Sequence, residues 1–358
     1  MANPLFSLLR CPACQSPLEL EMLEMLDGDD ALLRSTCGLW FPVVRGIPRI
    51  FVGELREIYS TDFPDFLARH KLPSEAGRAA ATDEARSKLA TRESFGFEWT
   101  HYSEMLPEWD RNARFYFEPV GGAESLAGAL VFEGGCGKGR HTYHALKSGA
   151  RVVAVDFSRA IDVAAANCRD LDGERLFVQA DLMALPFAPS TFDLAFSFGV
   201  LHHLPAPEAG FRKLVALVRP GGRVLVYLYH ALEGEPVKQA ILRAVTAVRR
   251  VTVKMPHRAL LPATTALGWA LYAGVVTPYK VLSRFRATRA LADKMPLRVY
   301  AEYPVRVIVN DQFDRFSAPI ENRYRRDEVE GWLQRAQLEQ IDVRPGHGWR
   351  AVGTVSKR

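Results

Sequence analysis

Short apolar runs alternate with segments of helical spacing in the middle of the chain. The apolar runs lie at 129–132, 151–155, 176–180, 192–197 and 223–229. A segment from about 207 to 218 has the spacing of an amphipathic helix. Strands that alternate with helices are typical of a parallel sheet with helices on both faces. The pattern therefore predicts an α/β fold with a doubly wound, mostly parallel sheet.

The first apolar run ends in a glycine-rich turn. Residues 131–139 read Val-Phe-Glu-Gly-Gly-Cys-Gly-Lys-Gly, with glycine at the alternate positions 135, 137 and 139. Glycine lets a backbone turn tightly and approach a ligand where a Cβ atom would clash. A strand that breaks into such a turn before a helix forms the nucleotide crevice of α/β proteins. The spacing departs from the dinucleotide fingerprint Gly-x-Gly-x-x-Gly, so a plain strand–helix turn is an alternative interpretation.

Polar side chains follow the next three runs, where strands of a parallel sheet end at a common edge. Asp156 ends the second run, and a carboxylate in this place can accept hydrogen bonds from both hydroxyls of a ribose. Asp181 follows the third run and can accept a hydrogen bond from an adenine amino group. His202 and His203 follow the fourth run. These positions predict a nucleotide site at the carboxyl edge of the sheet.

Five motifs in order resemble the class I S-adenosylmethionine-dependent methyltransferases of the small-molecule "type 11" group, over about residues 129–230. They are EGGCGKG, VVAVDFS, QADLMALPF, STFDLAFSFGVLHHL and RPGGRVLVY. The resemblance implies a Rossmann-like, seven-stranded sheet and S-adenosylmethionine as cofactor, with S-adenosylhomocysteine as product. The cofactor-binding residues that it implies are Glu133, Gly135, Cys136, Gly137, Gly139, Asp156, Phe157, Asp181, Leu182, Phe198 and Gly199.

The function implied is methyl transfer to a hydroxyl, amine or carbon of a small molecule, such as a biosynthetic sugar or a lipid-linked precursor. A sulfonium methyl group is already activated, so the protein mainly aligns the acceptor. A general base helps a hydroxyl acceptor. The leading candidates are His202 and His203, for which a structural role stays open, and Asp311 and Tyr303 rank behind them.

Two other functions remain open at this stage. One is RNA methylation, in which the N-terminal residues and a basic insertion would hold RNA. The other is a protein that binds the cofactor without transferring a methyl group. Stacking on single-stranded RNA requires aromatic residues among the basic ones, and the insertion has its aromatic residues mostly in its uncharged part. We therefore expect a small-molecule acceptor and no nucleic acid.

The N-terminal residues resemble the short zinc-ribbon-like modules that precede such methyltransferases. Cys11 and Cys14 form a Cys-x-x-Cys turn of the kind that binds zinc. The second half of the pattern is degenerate, because Arg34 stands three residues before Cys37, where a fourth cysteine would complete the site. We expect a metal-free module held by Leu18, Leu20, Leu32 and Trp40, with Cys11, Cys14 and Cys37 as ligands only if a degenerate zinc site survives.

The basic insertion lies at residues 236–300. It contains twelve Lys or Arg and one acid, a net charge of +11, although the whole chain carries only +5. Within it, 259–279 has no charged residue, but Pro262 and Pro278 argue against a simple membrane-spanning helix. Three uses stay open: a lid over the substrate crevice, a homodimer surface, or a basic patch for a membrane or a phosphate-bearing substrate.

The predicted organisation has five parts. They are the N-terminal module 1–53, a linker 54–93, the cofactor-binding core 94–235, the helical insertion 236–302 and a C-terminal return to the sheet, 303–358. Five cysteines in 358 residues do not suggest a disulfide framework. Met1–Arg10 lacks the basic start and apolar stretch of a cleavable signal. Both observations predict a cytoplasmic protein.

Overall fold

One sheet runs through the molecule. The structure, a computed structural model, describes residues 3–22, 30–74 and 82–357. Its strands are β1 (Glu19–Met22), β2 (Ala31–Arg34), β3 (Trp40–Val44), β4 (Ile47–Ile50), β5 (Leu130–Gly134), β6 (Arg151–Asp156), β7 (Arg175–Ala180), β8 (Phe192–Phe198), β9 (Val218–Leu228), β10 (Leu338–Pro345) and β11 (Trp349–Val355). Their order across the sheet is β1-β2-β3-β4-β7-β6-β5-β8-β9-β11-β10.

Helices cover the sheet and form the insertion. The α-helices of the described residues are α1 (Ile58–Asp62), α2 (Pro64–Arg69), α3 (Asp83–His101), α4 (Trp109–Phe117), α5 (Arg140–Lys147), α6 (Ala160–Asn167), α7 (Pro207–Leu217), α8 (Pro236–Thr252), α9 (His257–Leu271), α10 (Thr277–Leu282), α11 (Arg286–Ala292), α12 (Val305–Ser317) and α13 (Arg326–Arg335). A π-turn, Tyr272–Val276, joins α9 to α10.

The predicted seven-stranded core is confirmed. Strands β7, β6, β5, β8 and β9 are parallel, and the antiparallel hairpin of β10 and β11 continues the sheet beyond β9. The parallel strands are buried almost throughout, which is why they appear in the sequence as continuous apolar runs rather than as alternating patterns. The carboxyl ends of β5, β6, β7 and β8 therefore meet at one edge.

The sheet is larger than the seven strands expected. The N-terminal residues form an antiparallel meander, β1 to β4, and β4 pairs with β7 in parallel through Arg49 and Ile50. Arg49 is 1% exposed, and its guanidinium donates to Asp162 and to Gln179 of the core. Leu18, Leu32 and Trp40 are buried as expected, but the prediction for Leu20 was wrong, because β1 is an exposed edge strand.

The segment 54–93, expected as a linker, carries α1, α2 and the first half of α3. Tyr59, Phe66 and Leu67 from it are buried with Trp40 and Phe51 of the N-terminal module. Part of the expected linker lies outside the described residues. Helix α3 begins at Asp83, where the Thr82 hydroxyl accepts a hydrogen bond from the Ala85 N–H.

The insertion packs on the core mainly through α12. Along α9 and the π-turn, the buried residues Leu260, Thr264, Gly268 and Val276 recur every four or eight positions, as expected for one helix face. At Gly268 a Cβ atom would lie 2.7 Å from the Val309 Cα, so glycine permits the close approach of α9 and α12. The rest of the α9 surface remains largely uncovered by the described residues.

Candidate functional site

The glycine-rich turn connects β5 to α5 at the carboxyl edge of the sheet. Gly135, Gly137 and Gly139 all have positive φ angles, which L side chains rarely adopt. The Gly135 and Cys136 N–H groups donate to the Val155 carbonyl at 2.7 and 3.0 Å, which fixes the turn against β6. A Cβ atom at Gly135 would lie 2.4 Å from the Val200 side chain. Only glycine therefore fits this turn.

Asp156 is fixed directly beside the turn. One carboxylate oxygen accepts from the Gly137 N–H at 2.7 Å, and the other accepts from the Ser158 N–H and hydroxyl at 2.8 and 2.7 Å. Burial raises the pKa of Asp156, and the hydrogen bonds from Ser158 and Gly137 oppose that rise. A carboxylate oxygen accepts up to two hydrogen bonds. The oxygen bonded to Gly137 can therefore accept one more, from a ligand hydroxyl.

Helix α3 lies across this edge of the sheet and closes the site from outside. The Lys88 ammonium donates to the Asp181 carboxylate at 2.9 Å, and the other oxygen of Asp181 accepts from the Met183 N–H at 2.9 Å. One helical turn further along, Arg92 and Phe95 reach the same space, and the Trp99 ring would lie 3.1 Å from a Cβ atom at Gly137. Residues Phe95–Trp99, an aromatic phrase with Phe95, Phe97 and Trp99, thus belong to a helix that covers the nucleotide crevice.

A cavity of about 1300 Å³, which we call the chamber, begins between the glycine-rich turn and α3 and extends beneath the insertion. Pockets for a single drug-sized ligand measure roughly 300–1,000 Å³. The chamber therefore has room for two molecules. Near the turn it is lined by Asp156, Phe157, Asp181, Leu182, Phe198 and Gly199.

The far wall of the chamber carries three carboxyl groups, Glu98, Asp311 and Asp314. The Tyr300 hydroxyl donates to Asp311 at 2.5 Å, the Tyr229 hydroxyl donates to Asp314 at 3.4 Å, and the Asn310 amide donates to Glu98 at 3.2 Å. Burial raises the pKa of all three groups, that of Asp314 to about 6, and their mutual repulsion adds to the effect on Glu98 and Asp311. This wall can accept hydrogen bonds from hydroxyl or amino groups.

The two adjacent histidines occupy different environments. His203 lines the chamber, whereas His202 is enclosed and stacks on Tyr229 at a centroid distance of 3.8 Å. His203 Nδ1 lies 2.5 Å from the Ile320 carbonyl oxygen. Because a carbonyl only accepts, Nδ1 carries the proton, and Nε2 of the neutral ring has a free lone pair. Burial lowers the pKa of His203 to about 4, so the ring is neutral at pH 7.

Known proteins resemble the part of the chain that builds this site. A family model described as "Methyltransferase domain" matches residues 132–226, from β5 to β9. Methyltransferase GfsG of Streptomyces halstedii is 28% identical over 150 residues, which are 41% of this chain and 54% of that protein. Demethylmenaquinone methyltransferase of Corynebacterium efficiens is 31% identical over 147 residues, 40% of this chain and 61% of that protein. The chain thus spans about half of the length of these curated relatives.

Solved structures also align. An S-adenosylmethionine dependent methyltransferase from Mesorhizobium loti is 28% identical over 31% of this chain and 56% of that chain, with a TM-score of 0.27. Magnesium protoporphyrin IX methyltransferase from Synechocystis PCC 6803, solved with S-adenosylhomocysteine, is 13% identical over 84% of this chain and 99% of that chain, with a TM-score of 0.40.

The family match covers the residues that form the turn and both acids. Residues 132–226 match a methyltransferase domain, which supports the S-adenosylmethionine-dependent class that the motifs resemble. The side chains fit the cofactor of this domain, because the turn excludes any Cβ atom at Gly135 and Asp156 has an acceptor position free. The resemblance seen in the sequence is thereby confirmed.

The structure places most of the residues predicted for the methyltransferase domain at the chamber. Nine of the eleven predicted cofactor residues line it, and Glu133 and Gly139 do not. Glu133 is enclosed, where the Thr142 hydroxyl donates to it and burial raises its pKa to about 8. Of the predicted catalytic residues, His203, Asp311 and Tyr303 line the chamber, and His202 does not.

Other residues of the chamber were not expected from the sequence. Lys88 and Arg92 lie in the segment expected as a linker, and Glu98 lies inside the aromatic phrase Phe95–Trp99. The available signal for Glu98 was an acid between aromatic residues, because aromatic residues tend to be buried and a buried carboxyl group is costly without a partner or a function. The sequence gives no comparable signal for Tyr116, Tyr227 and Tyr229, because tyrosines in strands and helices are common in protein cores.

The three N-terminal cysteines come together. The sulfur atoms of Cys11, Cys14 and Cys37 all lie within 4.8 Å of one another, the one such cluster of candidate metal ligands among the described residues. The Ser35 hydroxyl lies 3.1 Å from the sulfurs of Cys14 and Cys37. Arg34, at the position of the missing cysteine, pairs with Glu21 at the surface, and the neighbouring Ser35 places its hydroxyl beside the sulfurs instead. Three sulfur ligands with one open position fit a metal ion sterically, and the expectation that none is bound stays a prediction.

Proposed function

We propose that this chain transfers the methyl group of S-adenosylmethionine to a hydroxyl, amine or carbon of a small molecule held in the chamber. The single observation that carries the proposal is the continuity of the chamber, which joins the glycine-rich turn and Asp156 to the far wall of Glu98, Asp311 and Asp314. A methyl donor at the turn and an acceptor at the far wall would share one continuous space. The predicted cytoplasmic location also stays a proposal.

The residues have distinct roles in this proposal. The bound cofactor supplies a sulfonium methyl group that is already activated. Asp156 and Asp181 bind the ribose and the adenine, and Phe198 and Gly199 line the path between donor and acceptor. Helix α3 excludes water. Alignment of two reactants in such a space can lower a barrier by about 7–11 kcal/mol without a dedicated catalytic group.

His203 is the candidate general base for a hydroxyl acceptor. Its Nδ1 proton is committed to the Ile320 carbonyl, so Nε2 can take the acceptor proton. The ring packs against Phe95 at a centroid distance of 4.8 Å, which holds its orientation. The far-wall carboxyl groups would position the acceptor through hydrogen bonds. An amine acceptor would use the same wall, because carboxyl oxygens accept hydrogen bonds from amino groups.

Calorimetric titration with S-adenosylhomocysteine tests the cofactor site. We expect binding to the wild-type chain and a loss of at least about 100-fold in affinity for Asp156→Ala. The reason is that this change removes the ribose acceptor and leaves the Gly137 N–H without its partner. Asp172→Ala is the matched control, because Asp172 is an exposed acid outside the chamber, and it should bind as the wild type does.

Two outcomes would contradict the proposal. Unchanged affinity in Asp156→Ala would show that the ribose does not lie at Asp156. A folded wild-type chain that binds neither S-adenosylmethionine nor S-adenosylhomocysteine would exclude the whole reaction. Circular dichroism of each variant separates loss of binding from loss of folding.

A further inference from the structure

Helix α8 has its apolar stripe on the outside. Val237, Ile241, Val248 and Val251 recur at helical spacing along one side and are 72, 60, 50 and 65% exposed. The buried residue of the helix is instead Arg249, whose guanidinium pairs with Glu321 at 3.0 Å and donates to the Ala318 carbonyl at 2.7 Å. The charged residue thus anchors the helix to the protein. Its apolar face is therefore exposed and available for binding a partner.

The next helical segment, 257–282, also has an apolar face on which none of the described residues packs. His257–Leu282 is long and apolar enough to cross a membrane by length and composition alone, but only 22% of its most apolar window is buried. The buried residues contact α12, so this segment belongs to the folded protein. Leu267, Trp269, Val281 and the nearby Phe285 are 37, 55, 49 and 60% exposed.

Cations without counter-ions surround these apolar residues. Seven exposed Lys and Arg side chains have no ion pair among the described residues. They are Arg243, Arg250, Lys254, Arg258, Arg284, Arg286 and Arg289. A single acid, Asp293, lies in the whole insertion of 236–300. Helices with an apolar face, aromatic residues and flanking Lys and Arg are the kind that lie in the interface of anionic bilayers.

We propose that α8 and the segment 257–289 form a surface that docks on an anionic lipid bilayer. Charge complementarity favours this occupant over a second copy of the chain. A twofold interface would bring the exposed cations of two such insertions, each of net charge +11 over residues 236–300, close to each other, and their repulsion opposes association. A membrane surface rich in anionic lipids has the opposite charge and an apolar layer beneath it.

Docking would also place the chamber beside the lipid. Ile241 belongs to the exposed stripe of α8 and also lines the chamber, together with Val245 and Tyr279. Lys238 and Lys294 lie at the same opening. The membrane contact therefore adjoins the entrance through which an acceptor would reach the far wall.

Co-sedimentation of the full chain with vesicles tests the proposal. One vesicle population contains phosphatidylcholine alone, and the other contains phosphatidylcholine and phosphatidylglycerol at a ratio of about seven to three. We expect binding to the anionic vesicles only, with an affinity that decreases as salt is added. Arg250→Gln and Arg284→Gln should each weaken binding roughly fivefold.

The apolar part of the contact needs its own variant. The double change Val248→Glu with Val251→Glu puts two acids on the stripe without touching the chamber, and we expect at least about a tenfold loss of vesicle binding. Met22→Glu is the matched control, because Met22 is 60% exposed on β1, far along the chain from the insertion. It should bind vesicles as the wild type does.

Several outcomes would overturn the proposal: no vesicle binding, equal binding to both vesicle populations, or unchanged binding in the double variant. A dimer in analytical ultracentrifugation that the double variant dissociates would assign the surface to a second copy instead. Titration with S-adenosylhomocysteine on the same samples keeps this test separate from the proposed function. Cofactor binding can be intact while membrane binding fails.

Discussion

At the scale of single residues, burial sets the charge of the side chains in the chamber. It lowers the pKa of His203 to about 4 and raises the pKa of Asp314 to about 6. At neutral pH the imidazole is therefore uncharged and the Asp314 carboxyl is mostly ionised. A neutral histidine with one nitrogen committed to a carbonyl is prepared to accept a proton, whereas a charged one is not. Nε2 of His203 is thus free to accept a hydrogen bond or a proton from an acceptor hydroxyl, and the depressed pKa makes it a weak base.

The same depressed pKa makes stability depend on pH. An unfolded chain protonates His203 near its ordinary pKa of about 6.5, whereas the folded chain resists protonation until about pH 4. Between these values the unfolded state binds more protons, so stability is retained above pH 6.5 and decreases as the pH falls. We expect His203→Gln to show a smaller decrease in the free energy of unfolding between pH 7 and pH 5, measured by urea denaturation.

Nitrogen-15 spectra of the histidine rings give an independent check of this prediction. The signals that disappear in His203→Gln should report a neutral ring with the proton on Nδ1 throughout pH 5–8. A titration of those signals near pH 6.5, together with equal pH dependence of stability in the two proteins, would show that His203 is solvated and that its tautomer is not fixed.

At the scale of elements, the sequence predicts the helices and strands whose residue pattern is local. The strands β5 to β8 and helix α7 were predicted close to their observed bounds, because buried parallel strands are apolar throughout and their ends carry glycine, acid or proline. Strand β9 begins at Val218, five residues before the predicted run. The position of α3 over the chamber was not predicted. Its polar surface and its aromatic residues are compatible with several placements, and only long-range packing on the turn at Gly137 decides between them.

The contact of α9 with α12 gives a prediction for two glycines of one helical segment. Ala at Gly268 would place its Cβ atom 2.7 Å from the Val309 Cα, so the helices must separate. Overpacking of this kind costs about 1–3 kcal/mol, against a gain of up to about 1 kcal/mol in helix propensity. We expect Gly268→Ala to lower the free energy of unfolding in urea denaturation.

Gly274→Ala is the matched control for this contact. A Cβ atom at Gly274 would have no neighbour within 4 Å. Only the propensity gain should remain there, and the variant should be as stable as the wild type or more stable by up to about 1 kcal/mol. Equal effects of the two substitutions would mean that α9 and α12 are not in close contact.

At the scale of the whole molecule, the N-terminal meander and the methyltransferase domain share one sheet. β4 pairs with β7 although about 130 residues separate Arg49 from its neighbour Gln179 in the chain. No local pattern in the sequence could reveal that pairing, which explains why only a module preceding the core was expected. The buried guanidinium of Arg49, bound to Asp162 of α6, adds a second link between the two parts.

Because the sheet is continuous and Arg49 is buried at the junction, we expect the meander and the core to unfold together. Scanning calorimetry of the full chain should show no separate unfolding transition for the meander. Arg49→Met should lower the free energy of unfolding by about 1–3 kcal/mol, since Gln179 and Asp162 lose their donor. Asp162 is 29% exposed in its side chain, so water can replace part of the lost ion pair.

Arg34→Met is the control within the same meander. Arg34 pairs with Glu21 at the surface, and both side chains are about half exposed, 52 and 47%. Exposed pairs contribute less than about 1 kcal/mol, so this variant should unfold nearly as the wild type does. A separate transition at lower temperature that Arg34→Met and Arg49→Met shift equally would show that the meander is an independent unit. The pairing of β4 with β7 would then contribute little to holding it in place.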